Sequence, residues 1–444
     1  MVYVVEVVVA LSSIAVLLCL PDGPARLRTL CLYGSALTSS WNAVHVAGAL
    51  VSDWLLAISA LLLVRPGLRL SYLPRGLRVG AGLVLVSGLL STLVPPAAAY
   101  INQRFVIGDA RAEATGLAQR NGGNLTNLGK FEVALFILPL VYSSAIRLKP
   151  SLAQKLGYAW LAGVMLNSLA AYSDDLGLTR FELQVNGYLD TGGRHGGLAA
   201  QANHLGVAIA ISAPLAMYAI TRTGRQRIFG IAALLTGSVG LYVSSSRGAV
   251  VATILAVALS YVLMPWYRRS ALLGSLVAIA AAVYTLQAGF LASLLVRLRL
   301  SSGAANVTAG SDIGRASLLK QGIADFFSSP LHGIGYGYLN DAHLVYAQIL
   351  AAGGLIGALG LATVLSVGFT ARRQAVGVHD PLFQALQLCF ITWLAVSWVE
   401  NQVADRYLYV PLALLVGLWT TGRQVESPDY LAGQAHRRQI PERR

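Results

Sequence analysis

The sequence predicts an all-α, polytopic integral membrane protein. Only 12% of its 444 residues are charged and 56% are hydrophobic, whereas a soluble globular chain carries about 25% charged residues because its surface must stay hydrated. Apolar windows of about 20 residues, long enough to cross the hydrocarbon core as a helix, recur along the whole chain. These observations exclude a soluble enzyme, a disordered chain and a coiled coil. We expect a single membrane domain over residues 1–444.

The apolar windows predict about 12 membrane-spanning helices, or about 13 if one ambiguous stretch forms two helices. A first span is expected at Val2–Leu20. The ambiguous stretch is Thr29–Val64, which is too long for one straight crossing and short for two. The clearer spans follow in order at Leu77–Ala98, Leu128–Ile146, Lys155–Leu176, Leu198–Ile220, Gln226–Ser245, Gly248–Pro265, Ala271–Leu291, His343–Phe369, Leu382–Val399 and Ala404–Thr420.

Short basic loops identify the cytoplasmic side, because Lys and Arg accumulate in cytoplasmic loops. The other side receives the polar connections Tyr100–Asn127, Gly177–Gly197 and, before the last three spans, Ala292–Ala342. The first of these contains a glycosylation sequon at Asn124. The net charge of +14 thus reflects orientation and does not predict nucleic acid as a partner. The cytoplasmic basic residues are Arg65, Arg69, Arg75, Arg78, Arg147, Lys149, Lys155, Arg222, Arg225, Arg227, Arg268, Arg269, Arg372, Arg373 and those of the tail 422–444.

The longest external connection, 292–342, is predicted to contain an amphipathic helix at the membrane surface. Between Arg315 and Phe327, apolar residues recur at helical spacing, and polar residues, Asp325 among them, lie on other faces. The glycine-rich run Pro330–Gly337 follows this helix. It lacks the preceding strand and the Gly-Lys-Ser/Thr sequence of a nucleotide-binding loop, so that kind of site is rejected. Its glycines predict a tight turn with positive φ angles.

Four basic side chains lie near the ends of spans on the extracytoplasmic side: Arg194, Arg247, Arg315 and His343. For a single Arg, contact with lipid headgroups or a salt bridge is the simpler interpretation. Three arginines from different places favour an anion site instead, because a guanidinium stays charged and bonds phosphate through two N–H groups. We therefore predict a diphosphate partner, which backbone N–H groups beside the neighbouring glycines are able to approach.

His343 is the candidate general base. Its imidazole titrates near neutral pH and is suited to accept a proton from a hydroxyl, although a lone His is most often an ordinary polar residue. Asp341, just before it, and Tyr336, in the glycine-rich turn, are possible supporting residues. The other histidines and the three cysteines lack metal-ligand spacing. The sequence therefore predicts neither a metal site nor a cofactor.

Several of these motifs follow one another in order between residues 190 and 360. They are Arg194 with Asn203-His204-Leu205-Gly206, then Ser246-Arg247-Gly248-Ala249, Gly314-Arg315, the run from Ser329 to Gly337, Ala342-His343, and Gly353-Gly354-Leu355-Ile356-Gly357. In this order they resemble the O-antigen ligase family, over residues 190–360 by motif and elsewhere only by the pattern of spans. One departure is Leu344, since the family usually has Asn directly after the His.

This resemblance implies a multi-pass glycosyltransferase of the bacterial inner membrane with its active site on the extracytoplasmic face. Such an enzyme transfers a glycan from an undecaprenyl- or other polyprenyl-diphosphate carrier to a hydroxyl of a glycolipid or glycan acceptor. It inverts the anomeric centre without a metal or a nucleotide sugar. The resemblance places His343 at the position of the catalytic His, and Arg194, Arg247 and Arg315 at the diphosphate-contacting arginines.

Two other functions stay open at the level of sequence. A polysaccharide polymerase of the same family would use the growing lipid-linked chain as its acceptor. A transporter of lipid-linked glycans would also present external basic residues. It should carry charges near the middle of the membrane and a pair of matching broken helices, and the sequence shows neither feature in its later spans.

Overall fold

The structure is a computed structural model that describes residues 23–97, 100, 117–187, 193–263, 305–338, 344–374, 380–398, 400 and 403–425. These residues are almost entirely helical, as the sequence predicts, with a two-stranded antiparallel hairpin, β1 (His45–Val46) and β2 (Ala49–Leu50). The expected spans at 2–20 and 271–291 and the end of the tail lie outside the described residues, as do His343 and Asp341.

The described residues form α-helices joined by turns, 3₁₀ segments and one turn of π-helix. A turn of π-helix, Val133–Ile137, joins the helices Leu117–Glu132 and Leu138–Leu148, so Gly123–Leu148 forms one long apolar helix. Short 3₁₀ segments lie at Thr38–Ser40, Leu70–Tyr72 and Tyr336–Tyr338. The α-helices are α1 (Gly23–Leu37), α2 (Val51–Val64), α3 (Arg75–Leu93), α4 (Leu117–Glu132), α5 (Leu138–Leu148), α6 (Leu152–Asp175), α7 (Phe181–Asn186), α8 (Ala202–Ile220), α9 (Arg225–Ser244), α10 (Arg247–Leu263), α11 (Ala305–Ser328), α12 (Val345–Gln374), α13 (Pro381–Val396) and α14 (Arg406–Val425).

Five described helical stretches are long and apolar enough to cross a membrane, and three shorter apolar helices, α2, α10 and α13, accompany them. This composition indicates a helical membrane protein. The full number of spans stays a prediction. The five stretches are Arg75–Leu93, Gly123–Leu148, Ala202–Ile220, Arg225–Ser244 and Val345–Ala371.

The ambiguous stretch 29–64 is two helices, α1 and α2, separated by residues 38–50. The first helix ends where the hydroxyls of Thr38 and Ser39 bond to carbonyls of its own last turns, at 2.8 and 2.7 Å. Arg26 and Arg28 lie within the first described turns of α1.

The central helix is α8, and 94% of its apolar window is buried. It packs against α6, α9, α10 and α13. Contacts between helix ends show that α6, α9 and α13 end where α8, α10 and α14 begin. His195 lies 3.8 Å from Asp175 at the end of α6, Arg194 donates to Ser244 O at the end of α9, and His204 lies 3.4 Å from Asp405 between α13 and α14. The connections 176–201, 245–246 and 397–405 therefore gather around the amino-terminal end of α8, and the basic loop 221–224 lies at the other end.

Helix α12 is broken at Gly354, where φ is +59° and ψ is −159°. The glycine-rich turn fills the break, with the predicted positive φ confirmed at Gly333 (+73°) and Gly335 (+104°). Backbone hydrogen bonds replace those that the helix loses there. They run from Ile334 N–H to Ala351 O (2.9 Å), Gly335 N–H to Ala352 O (2.9 Å), Leu355 N–H to Pro330 O (2.8 Å) and Ile356 N–H to Leu331 O (3.0 Å).

The sequon residue Asn124 does not lie in an exposed loop, so this expectation is wrong. It lies in α4 and is 4% exposed. Its amide donates to Gly88 O at 3.1 Å and to Thr92 Oγ1 at 2.5 Å, and its carbonyl accepts from Tyr336 N–H at 2.5 Å. A side chain with this set of buried hydrogen bonds holds the glycine-rich turn in place and is closed to glycosylation.

A helix covers the predicted segment 315–327, because α11 includes these residues and extends back at least to Ala305. Its polar residue Asp325 faces the protein and is fully buried, with hydrogen bonds from Tyr100 Oη (2.7 Å) and Gln321 Nε2 (2.9 Å). The apolar side chain of Phe327 is 73% exposed instead. A helix that buries a polar residue against the protein and exposes an apolar one is suited to contact with lipid on its outer face.

Candidate functional site

The candidate site is built on the sharp turn between α9 and α10. The last turn of α9 ends with Ser245 in the left-handed region, at a φ of +51°. Arg247 begins α10 two residues later and is partly exposed. Gly206 of α8 lets this turn approach closely, because a Cβ there would lie 2.9 Å from the Cβ of Ser246 and 2.8 Å from that of Ala249. The close packing places Arg247 at the amino-terminal end of the central helix.

Arg194 is held against the same turn. Its Nε donates to the carbonyl of Ser244 at 3.0 Å, and its Nη2 donates to Oδ1 of Asn203 in the first turn of α8. The backbone N–H of His195 also bonds to α9, at Val243 O (3.0 Å). The guanidinium is therefore fixed between the end of α9 and the start of α8. Ser244, whose carbonyl it bonds, lies three residues before Arg247 in the chain.

Arg315 reaches this region from α11. Its Nε is buried and has no hydrogen-bond partner in the described part of the chain. Its charge acts on the carboxylate of Glu400, and so does the charge of Arg194. The charges of Arg194 and Arg315, two of the three predicted arginines, thus act on the same carboxylate. The third, Arg247, begins α10 just after Ser244, whose carbonyl Arg194 bonds.

Glu400, which the sequence does not single out, is the acidic residue of this cluster. It lies in the connection between α13 and α14, is 5% exposed, and its Oε2 has no hydrogen-bond partner among the described residues. Burial raises the pKa of its carboxyl group to about 7, against the opposing effects of Arg315 and Arg194. The signal in the sequence is a carboxylate directly after an apolar span, where an ionisable residue is expensive to keep.

Two histidines pair with acidic residues around the cluster. His195 Nδ1 lies 3.1 Å from Glu182 Oε2, and its Nε2 lies 3.8 Å from Asp175 Oδ1. These pairs tie the segment before α8 to the end of α6 and to α7. Glu182 lies 13 residues before His195, and this spacing matches no recognised motif.

His204, in the first turn of α8, forms the second histidine pair. Its Nδ1 lies 2.5 Å from Asn42 Nδ2 and 3.4 Å from Asp405 Oδ2. Asn42 also accepts a hydrogen bond from the Ala200 N–H at 2.8 Å. The segment after α1, the start of α8 and the connection before α14 are thereby joined at the same end of the bundle.

The candidate base His343 and its possible support Asp341 fall outside the described residues. The next described residues connect α12 to the segment that carries Glu400. Val345 N–H bonds to Ser397 O at 3.0 Å, and Tyr346 Oη donates to Leu394 O at 2.9 Å. In sequence, His343 lies two residues before Val345, which bonds to Ser397 in the α13–α14 connection.

Tyr336, the other possible supporting residue, points into the core. Its side chain is fully buried, its hydroxyl lies 3.2 Å from Ser87 Oγ, and its ring centroid lies 5.8 Å from that of Phe131. This placement suits an anchoring role for the glycine-rich turn rather than contact with a substrate. Among the described residues, no group of three or more His, Cys, Asp or Glu side chains is placed to hold a metal ion.

Comparison with known proteins adds no relative. No family model matches the chain, and no curated protein matches it at a significant level. The function is therefore inferred from the geometry around Arg194, Arg247, Arg315 and Glu400 and from the order of the motifs.

Proposed function

We propose that the protein is a metal-independent, inverting glycosyltransferase of the O-antigen ligase type. It would transfer a glycan from a polyprenyl-diphosphate carrier to a hydroxyl of a glycolipid or glycan acceptor, on the extracytoplasmic face of a bacterial inner membrane. The observations that support this proposal most are the position of Arg194, which bonds to the end of α9 beside the helix that Arg247 begins, and the buried Nε of Arg315, which has no hydrogen-bond partner among the described residues.

The reaction needs stabilisation of a leaving anion and removal of a proton. The acceptor oxygen forms a bond to the anomeric carbon while the bond from that carbon to the diphosphate oxygen breaks. The polyprenyl diphosphate leaves with the electron pair, and the arginines stabilise its charge through preorganised N–H groups. The acceptor proton passes to the imidazole of His343. An imidazole ordinarily has a near-neutral pKa and is therefore suited to accept this proton.

The membrane architecture suits such a donor. The prenyl tail can stay in the bilayer while its diphosphate lies at the end of the bundle, where α9 ends and α10 begins. The unpartnered Nε of Arg315 gives the anion a donor that no described protein group uses. Burial of such a donor is costly unless a ligand bonds to it.

The first test is glycan transfer by the purified protein from a polyprenyl-diphosphate donor in the presence of EDTA. We expect His343→Ala and Arg247→Ala to lower transfer at least about a hundredfold, the lower range for loss of a general base or of one charge-stabilising donor. Arg225→Ala, an exposed arginine at the opposite end of the bundle, is the matched control. Full activity in His343→Ala would remove the proposed base, and loss of activity on chelation would contradict the metal-free mechanism.

A polymerase and a ligase differ in the acceptor. A polymerase extends the lipid-linked chain and produces a ladder of products on a gel, whereas a ligase produces one transferred species for each donor length. The order of the motifs favours a ligase over a polymerase, so we propose the ligase as the first candidate.

The broken helix α12 favours the transporter as a second candidate, because discontinuous helices are a feature of transporter binding sites. In this protein the backbone groups exposed by the break at Gly354 are bonded to the turn 330–335. Movement of a fluorescent lipid-linked glycan across proteoliposomes, without transfer to an acceptor, would support transport over the glycosyltransferase.

A further inference from the structure

We propose that His195 is the positioning residue of Arg194, and that Glu182 of α7 acts through it. The pair holds the guanidinium of Arg194 in the place where it meets a diphosphate. This inference rests on the proposed function and deepens it, because it concerns two residues to which neither the motifs nor the proposed reaction gives a role.

The segment that carries Arg194 has little structure of its own to fix an arginine. Four of the six residues 192–197 are glycine, and glycine loses more conformational freedom on folding than any other residue. Gly193 and Gly197 have positive φ angles of +68° and +61°. Apart from Arg194, His195 is the one residue in this segment of the sequence with a side chain larger than hydrogen. The placement of Arg194 therefore depends on how its neighbour His195 is held.

His195 is anchored at its side chain and at its backbone. Its Nδ1 lies 3.1 Å from Glu182 Oε2, and because a carboxylate oxygen accepts, Nδ1 is the donor. Its backbone N–H donates to Val243 O at 3.0 Å. The adjacent Arg194 donates from Nε to Ser244 O, the next carbonyl of α9, also at 3.0 Å. Two neighbouring residues of the segment thus lie along the last turn of α9, and a shift of His195 would move Arg194 with it.

Glu182 is itself held in a fixed position. It lies in the first turn of α7 and is fully buried. The carboxylate of Asp174, at the end of α6, accepts the N–H groups of Phe181 at 2.9 Å and of Glu182 at 2.8 Å. A buried carboxylate is costly unless it is paired. A contact from such a residue to His195 therefore links the glycine-rich segment to the rigid end of α6.

This arrangement acts on a bound anion only through the arginine. The Nη2 of Arg194 also donates to Asn203 Oδ1, so the orientation of the guanidinium is set by bonds on the side of the protein. A displacement of about 1 Å in a positioned group costs about a hundredfold in rate, since donors act only where charge develops. We therefore expect His195 to affect donor binding and transfer without contact with the substrate.

The experiment measures binding of farnesyl diphosphate to the purified full-length protein in detergent, by calorimetry. This probe carries an isoprenyl tail and a diphosphate, so the identity of the sugar does not matter. We expect Arg194→Ala to raise Kd at least about tenfold, as loss of a charged hydrogen bond does. His195→Ala should raise Kd about fivefold, because the charge remains but loses its placement.

The deciding variant combines Arg194→Ala with His195→Ala. If His195 acts through Arg194, the double variant binds the probe no more weakly than Arg194→Ala alone. Independent contributions would instead multiply, since the effects of separate sites add as free energies. A merely structural role of His195 would lower affinity in both backgrounds.

Conservative variants test the part that Glu182 plays. Glu182→Gln keeps an oxygen that accepts from Nδ1 of His195, and it should bind the probe nearly as well as the wild type. Glu182→Ala removes the acceptor and should match His195→Ala. The control is His45→Ala, which removes an exposed imidazole whose Nδ1 lies 2.8 Å from the carbonyl of Ala43, and it should keep the wild-type Kd.

The outcomes separate this inference from the proposed function. A loss of affinity in His195→Ala that disappears in the Arg194→Ala background supports the positioning role. If Arg194→Ala weakens binding while His195→Ala keeps the wild-type Kd, or if the two effects multiply, the positioning role is overturned and the diphosphate site stands. If the wild type does not bind the probe, the arginine site is overturned and the positioning role with it.

Discussion

At the scale of single residues, Arg406 at the start of α14 is a buried charge outside the site. It is 2% exposed and donates from Nε and from Nη2 to the two carboxylate oxygens of Asp53, each at 2.6 Å. It also donates to the carbonyl of Lys130 at 2.9 Å. This buried pair joins α2, α4 and α14, and removing one partner leaves the other charge buried without compensation.

We expect Asp53→Asn to lower the free energy of unfolding by about 3–5 kcal/mol, the usual result of breaking a buried ion pair. Replacing both residues, as Asp53→Asn with Arg406→Met, should recover part of that loss because no charge is then left unpaired. Thermal unfolding of the purified protein in detergent measures both effects. Equal stability of Asp53→Asn and the wild type would show that the pair contributes nothing.

At the scale of elements, the break in α12 and the glycine-rich turn stabilise each other. Gly333 has a positive φ, and its Cα lies so close to the carbonyl of Ala352 that a Cβ would overlap it. Tyr336, three residues further along the chain, is anchored by Asn124 and Ser87. The turn is therefore part of the helical core, although its sequence reads as a loop.

We expect Gly333→Ala to lower the free energy of unfolding by at least about 2 kcal/mol, since it adds both backbone strain and a steric overlap. Gly82→Ala is the matched control, because Gly82 lies within α3 and a Cβ there meets no atom within 4 Å. In that variant, helix propensity should leave stability unchanged or raise it by up to about 1 kcal/mol. Equal thermal stability of the two variants would contradict the proposed packing of the turn.

At the scale of the whole molecule, the alternation of helix directions separates two ends. One end carries the arginine cluster, and the other carries the basic connection 221–224 and Arg225. The positive-inside rule predicts that the end with the basic loops is cytoplasmic. The arginine cluster then faces the extracytoplasmic side, where a lipid-linked glycan would be used.

Cysteine labelling tests this orientation. Leu178 is 75% exposed at the end that carries the cluster, and Arg225 is exposed at the other end. With Cys19 replaced by Ser, and with Cys31 and Cys389 buried, we expect a membrane-impermeant thiol reagent to label Leu178→Cys in intact spheroplasts. Arg225→Cys should react only after permeabilisation, and the reverse pattern would invert the predicted topology.

The sequence alone determines the coarse architecture, because apolar length and basic loops act locally. The helices at 75–93, 202–220 and 225–244 begin and end within a few residues of the predicted spans. The positive φ angles at Gly333 and Gly335 also follow from residue type. The three arginines stand out because a charge near an apolar span is expensive wherever the chain folds.

Only the tertiary structure decides which distant groups meet. Glu400 is buried although it follows an apolar span directly in sequence, and the charges of Arg315 and Arg194, from distant segments, act on its carboxyl group. Asn124 becomes a buried anchor because Tyr336, far along the chain, fills its hydrogen-bonding capacity. Neither fact has a local signature, since burial and partners depend on packing between helices, and packing sets both the pKa of a carboxyl and the accessibility of an amide.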